Sequence, residues 1–208
     1  MVYRTPKCLT YVVLNAFTNC DAGGNAAAAV FLDYMLPNEA LFDITRSINQ
    51  PVTSFIYPSS SADSVDGMTA VYGLRWFTKD VELSICGHGT LVAARALFSS
   101  DRLLRTSVEQ VYFETMRGTV IARKGTDDRI EIQLPLSDIN PVTDEEARRI
   151  KKILAKAFRK DDIGVKFIGS SQRMKDYVLI ELNADEELQN AVIDAAVMVK
   201  ILLSTSKA

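Results

Sequence analysis

Short apolar stretches separated by turn residues run through most of the chain and predict a strand-rich fold. Valine, isoleucine, leucine and aromatic residues dominate these stretches, and glycine, aspartate or polar turns bound them. The segments predicted as strands are residues 9–16, 52–57, 69–78, 111–115, 119–123, 130–134, 163–168 and 177–182. The three from 111 to 134 follow one another across tight turns and predict a meander.

Helical spacing and capping residues predict five helices between these strands. They are residues 26–33, 37–48, 90–98, 143–158 and a last helix from 185 to about 203. Asn25 is the expected N-cap of the first, which begins with four consecutive alanines. Thr143 and Glu146 resemble a capping box. The turn from Gly87 to Gly89 leads into the helix from 90 to 98, which is apolar on nearly every side except at Arg95 and is therefore predicted to be enclosed by other elements.

A proline-containing stretch without apolar periodicity, residues 135–143, is the best candidate for a linker. It divides the chain into two predicted units, residues 1–135 and 136–208. The expected fold class is α+β. All candidate catalytic and substrate-binding residues lie in the first unit.

Composition narrows the classes of function. The 208 residues carry 24 Lys and Arg against 26 Asp and Glu, so the net charge of −2 favours neither nucleic acid nor an anionic membrane. Three cysteines are too few for a disulfide framework and indicate the cytosol. The apolar C-terminal run is shorter than the ~20 residues of a membrane helix. A single histidine, His88, excludes a zinc site with several histidines, and we expect no metal.

The segment from Cys86 to Thr90 carries the strongest signal for chemistry. It places a thiol and an imidazole at the start of a helix, where free backbone N–H groups bind a carboxylate and lower the pKa of a thiol. Gly87 and Gly89 allow a ligand to approach the backbone. Cys86 and His88 are the candidate catalytic residues. The candidate substrate-binding residues are Gly24, Asn25, Gly87, Gly89 and Thr90.

Gly24 and Asn25 head the first predicted helix, and they would form a second helix mouth of the same kind. We expect His88 to face a cleft that also contains Asn25, which would suit a small carboxylic acid whose α-proton is moved. A purely structural interpretation stays open beside this one. A free cysteine is commonly a small buried hydrophobic residue, and a histidine or asparagine before a helix is commonly only a cap.

Four blocks of sequence, in order, resemble the phenazine-biosynthesis PhzF-like family. The family pattern is roughly "DAFT … GNPAAV … RWFTP … CGHATLAAA … FETRSG". The matching segments here are residues 15–18 with 24–30, 74–78, 86–94 and 113–118. The resemblance implies the diaminopimelate-epimerase fold, in which each of two lobes wraps a curved mixed sheet around a central helix. It also implies a cofactor-free isomerase or epimerase with its site between the lobes.

Two departures from the family pattern bear on activity. The segment "NLSETAF" carries the proton-shuttling glutamate of the family, and Val52 stands at that position here. Valine cannot transfer a proton. The chain is also shorter than the pattern implies, so we expect an incomplete second lobe. No cysteine follows Cys86 to supply the second thiol of a two-cysteine epimerase.

The sequence leaves three interpretations open. The first is an isomerase-like enzyme of secondary metabolism, acting on a small carboxylic-acid or amino-acid-derived metabolite with altered chemistry, including cyclisation. The second is a non-catalytic protein that binds a small molecule or a partner. The third is a short gene product whose missing lobe another chain supplies. An apolar stripe on the last predicted helix favours a homodimer. Its residues are Val192, Ala195, Ala196, Val199, Leu202 and Leu203.

Overall fold

The hydrophobic pattern and the structure agree on most elements. The computed structural model describes residues 8–20, 23–59, 67–100, 107–172, 177–188 and 191–201. The strands are β1 (Thr10–Ala16), β2 (Asn25–Phe31), β3 (Thr53–Pro58), β4 (Thr69–Phe77), β5 (Glu82–Leu83), β6 (Gln110–Thr115), β7 (Gly118–Lys124), β8 (Ile130–Gln133), β9 (Asn140–Pro141), β10 (Val165–Ser170) and β11 (Val178–Leu182). The helices are α1 (Asn38–Ile48), α2 (Gly87–Phe98), α3 (Asp144–Phe158) and α4 (Ala195–Met198).

The chain divides into two units, Met1–Pro135 and Leu136–Ala208. In the first unit an eight-stranded sheet has the order β1-β2-β3-β4-β6-β7-β8, with β5 paired to β4. The pairs β2–β3 and β4–β6 are parallel and the other pairs antiparallel, so the sheet is mixed. It curves until both β1 and β8, at opposite ends of the order, contact α2. The first unit therefore has the predicted α+β architecture of a curved sheet around a central helix.

Small side chains allow the sheet to close around α2. Ala93 and Ala94 on the helix are fully buried, and Ala27 and Ala29 on β2 are fully buried against the same core. The other face of the sheet packs on α1 through a second cluster that contains Leu41, Phe55 and Phe77. Both faces of the sheet are therefore buried at β3, where Thr53, Ser54, Phe55 and Ile56 are all at most 2% exposed.

The prediction of a helix over residues 26–33 is wrong, because this segment forms β2. Its backbone pairs antiparallel with β1 on one side and parallel with β3 on the other. Alanine has the highest intrinsic helix propensity. Here the alanine segment lies between two strands. Ala27 and Ala29 pack into the core around α2, whereas Val30 packs into the core around α1 on the other face of the sheet. Tertiary pairing overrides the local preference.

The second unit contains a three-stranded sheet with the order β11-β10-β9. Its core includes Ile150 and Leu154 of α3, together with Ile168 and Ile201. The side chain of Thr143 accepts a hydrogen bond from the Glu146 backbone N–H, as the capping signal predicts.

The prediction of a long helix from residue 185 is also wrong. In the described residues, helix begins only at Ala195 and ends in a 3₁₀ turn, Val199–Ile201. Asp194 caps α4 by accepting a hydrogen bond from the Val197 N–H, and its own N–H donates to the Ala157 carbonyl. The Glu186 side chain accepts from the Gly164 N–H. These bonds hold the segment in a non-helical path.

The apolar stripe expected on the last helix is largely exposed. Val192 is 71% exposed and Val199 is 52% exposed, whereas Val197 and Ile201 are buried in the second unit. Leu202 and Leu203 lie outside the described residues. Among the described helices, none combines the length and the apolar character needed to cross a membrane.

Candidate functional site

The segment from Cys86 to Thr90 forms the first turn of α2, and Cys86 is its N-cap in an extended conformation. Thr90 anchors this turn twice. Its backbone N–H and its Oγ1 both donate hydrogen bonds to the Cys86 carbonyl, at 3.0 and 2.7 Å. Because Thr90 is completely buried, these bonds are shielded from water and hold Cys86 firmly at the start of the helix.

The two candidate catalytic side chains contact each other. Cys86 Sγ lies 3.4 Å from His88 Nδ1. Cys86 is only 7% exposed, and His88 is half-buried. The other ring nitrogen, His88 Nε2, is shielded from solvent and has no hydrogen-bond partner among the described residues. The contact at Nδ1 therefore orients the ring, and Nε2 is the ring nitrogen without a hydrogen-bond partner among the described residues.

Burial controls the protonation of this pair. It raises the pKa of the Cys86 thiol, and the Gly89 backbone amide opposes that shift only in part. It lowers the pKa of the His88 imidazole. The expectation that the helix mouth lowers the thiol pKa is therefore wrong, because loss of water around a thiolate outweighs the helix N-terminus. At neutral pH the pair consists of a thiol and a neutral imidazole.

Gly89 is packed so closely that no side chain fits at its position. A Cβ there would lie 2.7 Å from Trp76 Cδ1, 2.9 Å from Ser54 Oγ and 3.1 Å from Cys86 Sγ. Ser54 Oγ also donates a hydrogen bond to the Gly89 carbonyl at 3.0 Å. The sheet therefore contacts the first turn of α2 directly, through β3 and β4.

Trp76 and Ser54 are site residues that the sequence analysis missed. Trp76 is 1% exposed, and its indole N–H has no hydrogen-bond partner among the described residues. An aromatic residue in a strand indicates a core position. For Ser54 the available signal is a pair of hydroxyl residues, Thr53 and Ser54, at the start of an apolar strand. Neither signal shows which helix the side chain faces.

Val52 lies in the same buried cluster as Trp76 and Cys86 and is 4% exposed. It immediately precedes β3, two residues from Ser54. The position that the family pattern gives to a glutamate is therefore an apolar one, packed into the core around the start of α2.

Gly24 and Asn25 do not form a second helix mouth, so this prediction is wrong. Asn25 is the exposed first residue of β2 and pairs with Ala16. Gly24 has φ +74° in the turn between β1 and β2, and a Cβ there would lie 2.3 Å from the Ala16 carbonyl oxygen. That Asn25 and His88 face one cleft stays a prediction.

A cavity of about 910 Å³ lies toward the other end of α2. Apolar side chains of β1 and β2, with Arg95 and Asp128, form part of its wall, and neither Cys86 nor His88 does. Across the part of the chain that the structure describes, no three His, Cys, Asp or Glu side chains cluster as metal ligands would.

Comparison with known proteins places these observations in a family. The model of the phenazine biosynthesis-like protein family, PhzC-PhzF, matches residues 14–205. An uncharacterised isomerase of Vibrio cholerae is 35% identical over 129 residues, which are 62% of this chain and 41% of that protein. The mouse phenazine biosynthesis-like domain-containing protein 2 is 33% identical over 128 residues, 62% of this chain and 43% of that protein. The matched segments thus span less than half of these relatives.

Solved structures show the same fold. A phenazine biosynthesis PhzC/PhzF protein of Clostridium difficile superposes with a TM-score of 0.64 at 23% identity, over 95% of this chain and 66% of that one. A protein of Pseudomonas aeruginosa described as a predicted epimerase superposes with a TM-score of 0.64 at 22% identity, over 84% of this chain and 60% of that one. The fold of this chain is thus shared with both of these proteins.

Proposed function

Because the chain belongs to the phenazine biosynthesis-like PhzC-PhzF family, we propose that it is a cofactor-free isomerase of a small carboxylic-acid or amino-acid-derived metabolite. The reaction moves a proton between two positions of one substrate, so no group is gained or lost. Secondary-metabolite biosynthesis is the proposed context. The observation that carries the proposal is the contact of Cys86 Sγ with His88 Nδ1 at 3.4 Å in the first turn of the central helix.

His88 is the proposed base. As a neutral imidazole with its proton on Nδ1, it takes a proton from the substrate carbon at Nε2 and becomes imidazolium. Nε2, whose proton exchanges with solvent, then delivers a proton to a different carbon on the same side of the substrate, and the histidine is regenerated. Cys86 at Nδ1 keeps the ring in the required orientation. Its thiol is also a proton donor, so the pair can act as acid and base.

The substrate carboxylate is proposed to bind at the N-terminus of α2. The N–H groups of Gly87 and His88 precede the first residue with an intrahelical acceptor, and the helix dipole favours an anion there. These groups are donors only, so they select an acceptor such as a carboxylate. The predicted binding role of Gly89 is not supported, because its amide already interacts with the Cys86 thiol and the residue is buried. This assignment supports a small acid as substrate and leaves its remaining structure open.

A deuterium-exchange assay tests the proposal. The protein is incubated in D₂O with a panel of small amino and hydroxy acids and unsaturated ring acids, and deuterium incorporation at carbon is followed by NMR. We expect exchange on at least one acid, and its loss in the Cys86→Ser/His88→Ala double variant. Cys20→Ser, which changes an exposed cysteine, is the matched control. Full exchange in the double variant would place the chemistry elsewhere.

A non-catalytic binding protein is the second candidate function. It is favoured by Val52, which offers no ionisable group, and by the cavity near Arg95, which offers an apolar pocket with a charged rim. Mass spectrometry of metabolites that co-purify with the natural protein separates the candidates. If a metabolite co-purifies and is released chemically unchanged, and the protein shows no deuterium exchange, the binding function would be established.

We also propose that the chain is a cytosolic homodimer. The exposed apolar side chains Val192 and Val199 support an association surface, although they do not lie on one long helix. Light scattering at micromolar concentration tests the dimer, which requires twice the 23.0 kDa of one chain. A particle of one chain's mass would overturn it. A complex with a different polypeptide would instead support a lobe supplied by another chain.

A further inference from the structure

We propose that Ser54 is a positioning residue for the Cys86–His88 pair, acting through Gly89. The catalytic importance of this role rests on the proposed function. Ser54 is not offered as a catalytic residue, because its hydroxyl bonds to the helix backbone.

Ser54 is placed on the α2 side of the sheet by strand alternation. It is completely buried and lies opposite Trp76 in the β3–β4 register. Its neighbours Val52 and Ile56, two residues away on either side, belong to the core around α2, whereas Phe55 belongs to the core around α1. Its Oγ reaches the Gly89 carbonyl at 3.0 Å. This bond joins the sheet to the first turn of the helix.

The hydroxyl of Ser54 and the missing side chain of Gly89 are sterically coupled. A Cβ at position 89 would lie 2.9 Å from Ser54 Oγ and 3.1 Å from Cys86 Sγ. The hydroxyl thus occupies space that a methyl group on residue 89 would need. The absence of that methyl group also allows Cys86 Sγ to lie close to the helix backbone.

Two buried hydroxyls therefore hold the two ends of the short segment that contains the pair. Thr90 Oγ1 holds the Cys86 carbonyl at 2.7 Å, and Ser54 Oγ holds the Gly89 carbonyl at 3.0 Å. His88 lies between these two anchors. Loss of the Ser54 bond frees one end, and the Sγ–Nδ1 contact of 3.4 Å then loosens. Small displacements of reacting groups can cost up to about 100-fold in rate.

The chain provides unusually clean reporters for a test. His88 is the only histidine and Trp76 the only tryptophan, so imidazole NMR and intrinsic fluorescence each report one residue of this site. In a Cys8→Ser/Cys20→Ser background, Cys86 is the only thiol, and the pH dependence of its alkylation reports its protonation. None of these readouts needs a substrate.

Ser54→Ala is the direct test, and Thr53→Val is its matched control. Thr53 is the adjacent buried hydroxyl, with no partner among the described residues, and strand alternation directs it to the opposite face. We expect Ser54→Ala to move the His88 titration toward its ordinary pKa and to shift the pH profile of Cys86 alkylation. We also expect kcat to fall about 10- to 100-fold with little change in KM. Thr53→Val should change none of these.

A steric cycle keeps the proposal testable if Ser54→Ala is poorly folded. Gly89→Ala should displace Cys86 and change its alkylation rate, because the new methyl group meets Trp76 Cδ1 and Ser54 Oγ as well as Cys86 Sγ. Ser54→Ala/Gly89→Ala should restore only the part of that change caused by the Ser54 hydroxyl, since the contact with Trp76 remains. Additive effects in this cycle, or an unchanged His88 titration in folded Ser54→Ala, would overturn the proposal. Absence of exchange activity in the unmodified chain would instead contradict the proposed function, whatever the spectra show.

Discussion

The two ends of helix α2 place polar groups in opposite environments. At the N-terminal end, Cys86 and His88 are held against the sheet and away from water. At the C-terminal end, Arg95 binds the carboxylate of Asp128 through two hydrogen bonds of 2.5 and 2.9 Å, and the Asp128 side chain is 83% exposed. One helix thus carries a neutral pair where the sheet covers it and a charged pair where water reaches it.

The pKa shifts follow this difference. The Arg95 guanidinium lowers the pKa of Asp128 mainly through its hydrogen bond, which stabilises the ionised carboxylate. Burial acts in the other direction at Cys86 and raises the pKa of the thiol. Solvent screens the attraction between Arg95 and Asp128. At the Cys86–His88 pair, which is largely shielded from water, a change in protonation has a larger electrostatic effect. Chemistry is therefore expected at the N-terminal end.

The largest effect is expected from removing the buried pair. His88→Ala and Cys86→Ser should each reduce turnover about 10²–10⁴-fold, the usual contribution of a positioned acid or base. Steady-state kinetics on the substrate identified by deuterium exchange measures this loss. Arg95→Ala at the other end of the helix is the control and should retain most of the activity. A greater loss of turnover in Arg95→Ala than in His88→Ala would place the chemistry at the C-terminal end of the helix instead.

A charge placed at the buried end should lower stability next most strongly. Val52→Glu puts a carboxyl into the core around Trp76, where an unpaired charge costs several kcal/mol unless it stays protonated. Urea denaturation at pH 7 should show a much lower midpoint. The control is Val13→Glu on β1, where the side chain is 44% exposed and the midpoint should change little. An unchanged midpoint in Val52→Glu would contradict the prediction.

A smaller effect is expected from pH. The folded state lowers the pKa of His88, so the unfolded chain takes up the proton first, and stability falls as pH drops below about 6.5. The folded state raises the pKa of Cys86, so the unfolded chain loses the proton first, and stability falls as pH rises above about 8.5. The pair thus contributes most between these values.

Urea midpoints measured from pH 5 to 10 test this window. The parent should lose stability relative to His88→Gln only on the acidic side, and relative to Cys86→Ser only on the alkaline side. Identical pH profiles in parent and variants would show that the two groups are as solvated in the folded as in the unfolded chain.

The smallest effect is expected at the exposed end. Asp128→Asn removes the carboxylate from Arg95, but an exposed ion pair contributes little because water screens it. The urea midpoint should fall slightly in low salt, and the difference should vanish in 1 M NaCl, which screens charges beyond about 3 Å. A large change that salt does not reduce would mean that this pair, like the pair at the other end, is effectively buried.

Much of the fold was predictable because its signals are local. The strands of the meander, α1 and α3 follow from apolar spacing, turn residues and caps within each segment. The start of α2 and the proximity of Cys86 to His88 also follow, since the two residues are neighbours in one helical turn. The segments 25–31 and 185–201 were predicted wrongly because their partners, not their own propensities, determine their backbone.

The sequence by itself determined the types of chemical group at the site, the central apolar helix and the apolar residue at position 52. Only the tertiary structure decided that β2 is a strand, that Ser54 and Trp76 contact Gly89, and that Cys86 is a protonated thiol. The physical reason is that residue types and helical spacing act over a few residues. Strand pairing, close approach and loss of water depend on groups that are distant in the chain and meet only on folding.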